Sequence, residues 1–163
     1  SLAAANTALS YAKEGGSITI LNPAPAQPLG ENILNLCDFV TPNEIEAEQI
    51  TGIPVKSVSD AEVAADKLLE KGASAAVITL GEQGALFKDS KQIIHQPSFQ
   101  VGPIVETTGA GDAFNGGLAV ALAEEMPIDK ARRFACATAS ISVTRPGTAP
   151  SMPDRNEIDT LLT

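Results

Sequence analysis

Ala75-Ala76-Val77-Ile78-Thr79-Leu80 is an almost unbroken apolar run that stops at Gly81. It is too short to fill a buried helix and too uniform for a strand with one wet face, which leaves a strand covered on both sides. A strand of that kind belongs to a mainly parallel sheet with helices packed on it. Composition agrees: only 4% of the 163 residues are aromatic and Trp is absent, so Ala, Val, Ile and Leu must build the core. A chain of 163 residues can bury one sizeable core, and a single domain over residues 1–163 is expected.

The flanking segments supply the other layers. Leu2 to Lys13 is an Ala-rich helix with no evident cap, ended by Gly15-Gly16. Ser17 to Leu21 reads as a strand, stopped by the prolines of Asn22-Pro23-Ala24-Pro25-Ala26. A second strand, Asp38 to Val40, runs into Thr41-Pro42-Asn43-Glu44, where Thr41 is placed to cap a helix, Pro42 to open it and Glu44 to complete a capping box. That helix should end at Thr51-Gly52. The next runs from Ser59, boxed by Glu62, to Gly72, with Ala61, Ala65, Leu68 and Leu69 on one face.

After the apolar run, Ala85 to Phe87 and Gln92 to Gln96 suggest an antiparallel hairpin, and Val101 to Val105 leads into a glycine-rich stretch. Helices over about Gly111–Glu125 and Ile128–Val143, then a short one near Asp154–Leu162, complete the chain. The alternation implies right-handed crossovers and an α/β fold, a doubly wound mainly parallel sheet with helices on both faces and a ligand crevice at the carboxyl ends of the strands.

Eleven Lys and Arg against twenty Asp and Glu give a net charge of -9, which argues against nucleic acid or an anionic membrane as partner. Cys37 and Cys136 have no metal-type spacing and no long apolar run is present, so a cytoplasmic setting is expected. One histidine, His95, cannot assemble a Ser-His-Asp hydrolase or a His-rich metal site, and it reads as a strand residue.

Thr107-Thr108-Gly109-Ala110-Gly111-Asp112-Ala113-Phe114-Asn115-Gly116-Gly117 is the most informative stretch. It lacks the Gly-Lys-Ser/Thr of a P-loop, and Phe114 stands at the third glycine position of a dinucleotide fingerprint. Gly109 and Gly111, entering a helix, let backbone N–H groups converge on an anion with help from the helix dipole. Asp112 in the first turn is placed to take a proton from an attacking hydroxyl, or else merely complements the helix end. Gly116-Gly117 inside a helix implies close packing or a ligand.

Residues 107–114 resemble the C-terminal signature of the ribokinase (pfkB) family of carbohydrate kinases. Asn22-Pro23-Ala24-Pro25-Ala26, Thr41-Pro42-Asn43-Glu44, Ile78-Thr79-Leu80-Gly81 and Val143-Thr144-Arg145-Pro146-Gly147 are similar to the family in the same order. The resemblance implies that Asp112 is the catalytic base, with an anion hole at Gly109, Ala110 and Gly111. It implies that Asn43 and Glu46 organise Mg²⁺ and the ATP phosphates, Glu46 through water, and that Thr79 and Gly81 contact ATP. It further implies a monovalent cation, K⁺, at Glu106, Thr108, Ser142, Arg145, Gly147 and Ser151, in part through backbone carbonyls. Glu106 stands where the family usually has Asp, and Cys136 where it often has Asn near the adenine.

The partners so implied are ATP and a small sugar, most directly D-ribose giving D-ribose 5-phosphate, with a fructokinase-like specificity as the alternative. Family members are longer, and their N-terminal half carries the sugar contacts and a β-lid. The chain therefore reads as a C-terminal portion lacking both, inactive alone, and prone to self-association through an uncovered sheet edge. A non-catalytic nucleotide-binding module and a purely structural domain are the other readings.

Overall fold

Residue 1 already has a structural task, because the Ser1 hydroxyl accepts the N–H of Ala4 at 3.4 Å and caps α1 (Leu2–Glu14). The cap missing from the sequence reading is therefore the first residue. A computed structural model describes residues 1–25, 27–29 and 32–163; Ala26, the last residue of the Asn22–Ala26 motif, lies outside them. The described residues form two compact units, residues 1–80 with 85–95, and residues 81–84 with 96–163.

The first unit carries the sheet, whose strands are β1 (Ile20–Leu21), β2 (Phe39–Val40), β3 (Ala75–Thr79), β4 (Ala85–Asp89) and β5 (Ile93–Gln96), adjacent in that order. The last residue of β5, Gln96, belongs to the second unit. β1, β2 and β3 are parallel, with Ile20 opposite Phe39 and Phe39 opposite Ala75. β4 runs antiparallel to β3, Val77 facing Phe87. A turn closed by the Asp89 N–H on Gln92 O leads to β5, a connection too short for a parallel neighbour. The apolar run is a strand as expected, but parallel on one side only.

β1 is shorter than the expected Ser17–Leu21 because Thr19 is engaged elsewhere: its N–H and hydroxyl both donate toward Asp38 Oδ2, and the hydroxyl lies 2.6 Å from Leu36 O. Helix α2 (Glu44–Thr51) starts two residues later than expected. Thr41 donates its N–H to Leu21 O, and Pro42 O accepts the N–H of Thr79, so both remain extended between β1 and β3. The cap is Asn43, and its box partner is Glu46 rather than Glu44. In α3 (Val58–Glu70) the cap is Ser57, not Ser59, because Asp60 bonds back to the Ser57 hydroxyl and to the Lys56 N–H.

Ala61, Ala64, Ala65 and Leu68 of α3 are fully buried with Val40, Ala76, Ile78 and Leu86 of the sheet. Alanine on that face lets the helix sit close, and burying Leu68 and Ile78 contributes about 1.5–3 kcal/mol each.

The second unit is built on α4 (Ala110–Ala123), α5 (Ile128–Ser142) and α6 (Arg155–Leu162). The two long helices meet at Gly117, where a Cβ would lie 2.6 Å from Thr138 Oγ1 and 3.1 Å from Ala135 Cα. Close packing thus explains Gly117, whereas a Cβ on Gly116 would meet nothing within 4 Å. The Arg155 guanidinium lies over the Phe134 ring and pairs with Glu124 at 2.6 Å, tying α6 to both helices. Among the described residues, no helix is long and apolar enough to cross a membrane.

Candidate active site

In the first unit the carboxyl ends of β2 and β3 converge on Asn43. Its Oδ1 accepts the N–H of Glu46 at 2.9 Å, and Glu46 Oε2 accepts the N–H of Asn43 at 2.9 Å. The reciprocal pair begins α2 and leaves Glu46 only 7% exposed. One carboxylate oxygen serves the box and the other keeps its acceptor capacity. Thr79 bridges to Asn43 across the strand ends, with its N–H 3.0 Å from Pro42 O. The structure therefore groups Asn43, Glu46 and Thr79.

Sequence reading gave Asn22 no role beyond its motif. It follows β1 directly, and its Nδ2 donates to Thr41 O at 3.1 Å, holding the loop that carries Asn43 from the other side. The signal available in the sequence was its position: a polar amide immediately after a strand, ahead of a proline.

In the second unit, Gly81 has a φ of 51° and its carbonyl accepts the N–H of Gly84. The glycine-rich stretch opens α4 as expected. Thr107 O accepts the N–H of Ala110, Gly109 adopts a left-handed φ of 84°, and Gly109 O accepts the N–H of Ala113. Gly109 offers no side-chain cap, and among the described residues no acceptor meets the N–H groups of Gly111 and Asp112. A Cβ on Gly111 would find open space within 4 Å. The exposed Asp112 stands in the first turn, so donors and a carboxylate share one helix end. Asn115 Nδ2 donates to Gly111 O at 2.8 Å and steadies that turn.

Of the expected cation positions, the structure joins Glu106 to Gly147: Glu106 Oε2 accepts the Gly147 N–H at 2.7 Å. Ser142 O accepts the N–H of Arg145, and the hydroxyls of Ser142 and Ser151 donate to Ala139 O and Thr148 O. Thr108 is exposed. The Arg145 side chain turns to Glu157, whose hydrogen bond raises the guanidinium pKa and in return holds the Glu157 carboxyl below its usual range. Among the described residues no group of three or more His, Cys, Asp and Glu is arranged to hold a metal ion.

Cys136 lies inside α5, 4% exposed, and burial pushes its thiol up to about 12. The thiol is neutral at neutral pH.

The model of the pfkB family of carbohydrate kinases matches residues 1–155. The chain is 43% identical over 158 residues to a ribokinase of Haemophilus influenzae, covering 96% of this chain and 51% of that protein. It is 38% identical over 156 residues to a deoxyribokinase of Salmonella typhi, covering 95% and 51%. A solved ribokinase of Arabidopsis thaliana, complexed with ribose and ATP, superposes with a TM-score of 0.95 at 30% identity, over 100% of this chain and 53% of that one. A ribokinase of Thermotoga maritima gives 0.85 at 40% identity, over 96% and 52%. The chain spans about half the length of the curated relatives it matches.

Proposed function

The chain belongs to the pfkB family of carbohydrate kinases, and from that membership we propose that residues 1–163 form the ATP-binding and catalytic portion of a sugar kinase. The reaction moves the γ-phosphoryl group of ATP onto a sugar hydroxyl, and D-ribose giving D-ribose 5-phosphate has the best support among the relatives.

The observation that carries this reading is the start of α4. Gly109 turns the chain without a capping side chain, the amides of Gly111 and Asp112 have no acceptor among the described residues, and the space over Gly111 is open. An anion arriving there meets donors and a positive helix end. Phosphoryl transfer needs little else from the protein than positioning and charge stabilisation. We assign the anion hole to Gly109, Ala110 and Gly111, and the base to Asp112, whose carboxylate takes the proton of the sugar hydroxyl as it attacks.

Asn43, Glu46, Thr79, Gly81 and Cys136 are assigned to the ATP side. The nearly buried Glu46 carboxylate suits an outer contact to Mg²⁺ through water, since Mg²⁺ keeps several waters and takes its remaining oxygens from phosphates. Bound there, Mg²⁺ supplies charge neutralisation on the phosphate oxygens. Glu106, Thr108, Ser142, Arg145, Gly147 and Ser151, several of them through backbone carbonyls, are assigned to K⁺. The cytoplasm is the proposed setting, and self-association through the β1 edge is a further proposal.

The test is ADP release by the full-length protein carrying this chain, with D-ribose, 2-deoxy-D-ribose, D-fructose or no sugar. Ribose-dependent release is expected. Preference for deoxyribose would move the specificity to the second relative's sugar. Mg-ATP binding without any sugar-dependent release would leave a non-catalytic nucleotide-binding module.

A further inference from the structure

Residues 96–99, at and beyond the end of β5, are fastened at once to the loop 81–84 and to α5, all within the second unit. On the loop side the approach is backbone on backbone. Gly84 has a φ of 92°, and a Cβ there would run into Gln96 O and lie 2.6 Å from Ser98 N. Ser98 Oγ donates to Glu82 O at 2.6 Å, and the Gly84 N–H closes the loop on Gly81 O at 3.0 Å. On the helix side, two residues eight apart on one face of α5 take hold of the segment. Arg132 Nη1 donates to Gln96 Oε1 at 2.7 Å, and Ser140 Oγ accepts the N–H of Phe99 at 3.1 Å. The Arg133 guanidinium lies 5.6 Å from the centroid of the Phe99 ring. Cys136 stands between Arg132 and Ser140; burial raises its thiol and the Arg132 charge opposes the rise.

Gln96 is 8% exposed and its Nε2 donates to Pro97 O at 2.8 Å, so both ends of its amide are committed. Arg132 is less completely matched: its Nε is buried and meets no acceptor among the described residues. A buried donor left unsatisfied costs about as much as one charge-assisted bond contributes. Net stability therefore does not account for an arginine at 132. What its bond fixes is orientation, first of the Gln96 amide and then, through the Gln96 carbonyl, of Gly84.

We propose that Arg132 is a positioning residue for the nucleotide loop: by holding the Gln96 side chain it sets residues 96–98 against Gly84, and so sets the loop 81–84 whose Gly81 is assigned to ATP. The action runs through Gln96 and the backbone of the loop. Its consequence for ATP rests on the phosphoryl-transfer reading; its consequence for the loop does not.

The experiment compares Arg132→Ala, Arg132→Lys, Gln96→Ala and the Arg132→Ala/Gln96→Ala double variant in the full-length protein, by amide hydrogen exchange and by steady-state kinetics. In Arg132→Ala, exchange at Gly84 should quicken and KM for ATP should rise by roughly threefold to tenfold. At saturating ATP, kcat should stay close to wild type. A single bond needs no guanidinium fork, so Arg132→Lys should restore most of both readouts. Gln96→Ala should match Arg132→Ala, and the double variant should be no worse than either single one. A role confined to stability would lower Tm and leave KM for ATP and loop exchange as in wild type below the melting range, which overturns the proposal. So would additive losses in the double variant, which would put the guanidinium on ATP directly. If the wild-type protein phosphorylates no sugar, the kinase reading fails, and the exchange at Gly84 still decides the role of Arg132.

Discussion

Asp38 accepts the backbone N–H and the hydroxyl of Thr19 on one carboxylate oxygen, at 2.8 and 3.0 Å, while Lys13 Nζ lies 2.5 Å from the other. Burial pushes this carboxyl up, but the bonds from Lys13 and Thr19 outweigh it and hold the pKa below the usual 3.8. A depressed folded-state pKa means stability that is present above the unfolded value and is lost as pH falls through the folded one. Asp38→Asn should therefore destabilise the protein by about 1–3 kcal/mol at pH 7. The gap to wild type should narrow below about pH 4. Urea unfolding at pH 7 and pH 3 checks both; an equal gap at the two values would remove the charge from the account.

Asp112→Asn keeps the shape of the first turn of α4 but cannot accept a proton. In the full-length protein kcat should drop by roughly 10²–10⁴-fold. The Kd for Mg-ATP should stay close to wild type. Single-turnover kinetics with titration calorimetry read the two separately, and near-wild-type turnover would sink the base assignment.

Gly117 and Gly116 should respond in opposite senses. An added methyl at 117 meets Thr138 Oγ1 and Ala135 Cα, so Gly117→Ala should cost about 1–3 kcal/mol. Gly116→Ala has open space and should gain up to about 1 kcal/mol from helix propensity. Thermal melts of the two variants test the contrast. Should Gly116→Ala raise the melting point yet weaken ATP binding, the open face there belongs to the ligand.

Glu125, just past the end of α4, is a non-glycine residue with a left-handed φ of 57°, its neighbour Met126 returning an N–H to Ala121 O. Holding an L side chain there costs roughly 1–2 kcal/mol, part of which glycine gives back through its freer unfolded chain. Glu125→Gly should stabilise the protein by up to about 1 kcal/mol. Differential scanning calorimetry is sensitive enough to see the shift, and a lower Tm would contradict it.

Periodic and local signals were legible in the sequence. The apolar run became β3, the α4 start fell within one residue of its expected place, and α6 follows Asp154 as anticipated. What misled was local chemistry overruled by neighbours distant in sequence. Thr41 and Pro42 have the residue types of a helix start, but Leu21 and Thr79 draw them into the sheet, and only then can Asn43 cap. Glu106 was placed among the cation positions by resemblance to the family; that its oxygen also meets the Gly147 N–H follows from how α4 and α5 pack, which no spacing rule encodes. The same holds for Asp38 and Thr19, whose pairing trims β1.

Asn43 and Glu46 cap the start of α2 with the same side chains that we assign to the nucleotide. In a random mutational library, the two positions will accordingly look intolerant in a folding screen and in an activity screen alike, and neither screen alone will tell which duty was lost. Aspartate caps as well as asparagine. Asn43→Asp thus leaves the helix intact while bringing a negative charge toward the phosphates, and a variant that folds normally but binds ATP poorly would assign the position to the ligand.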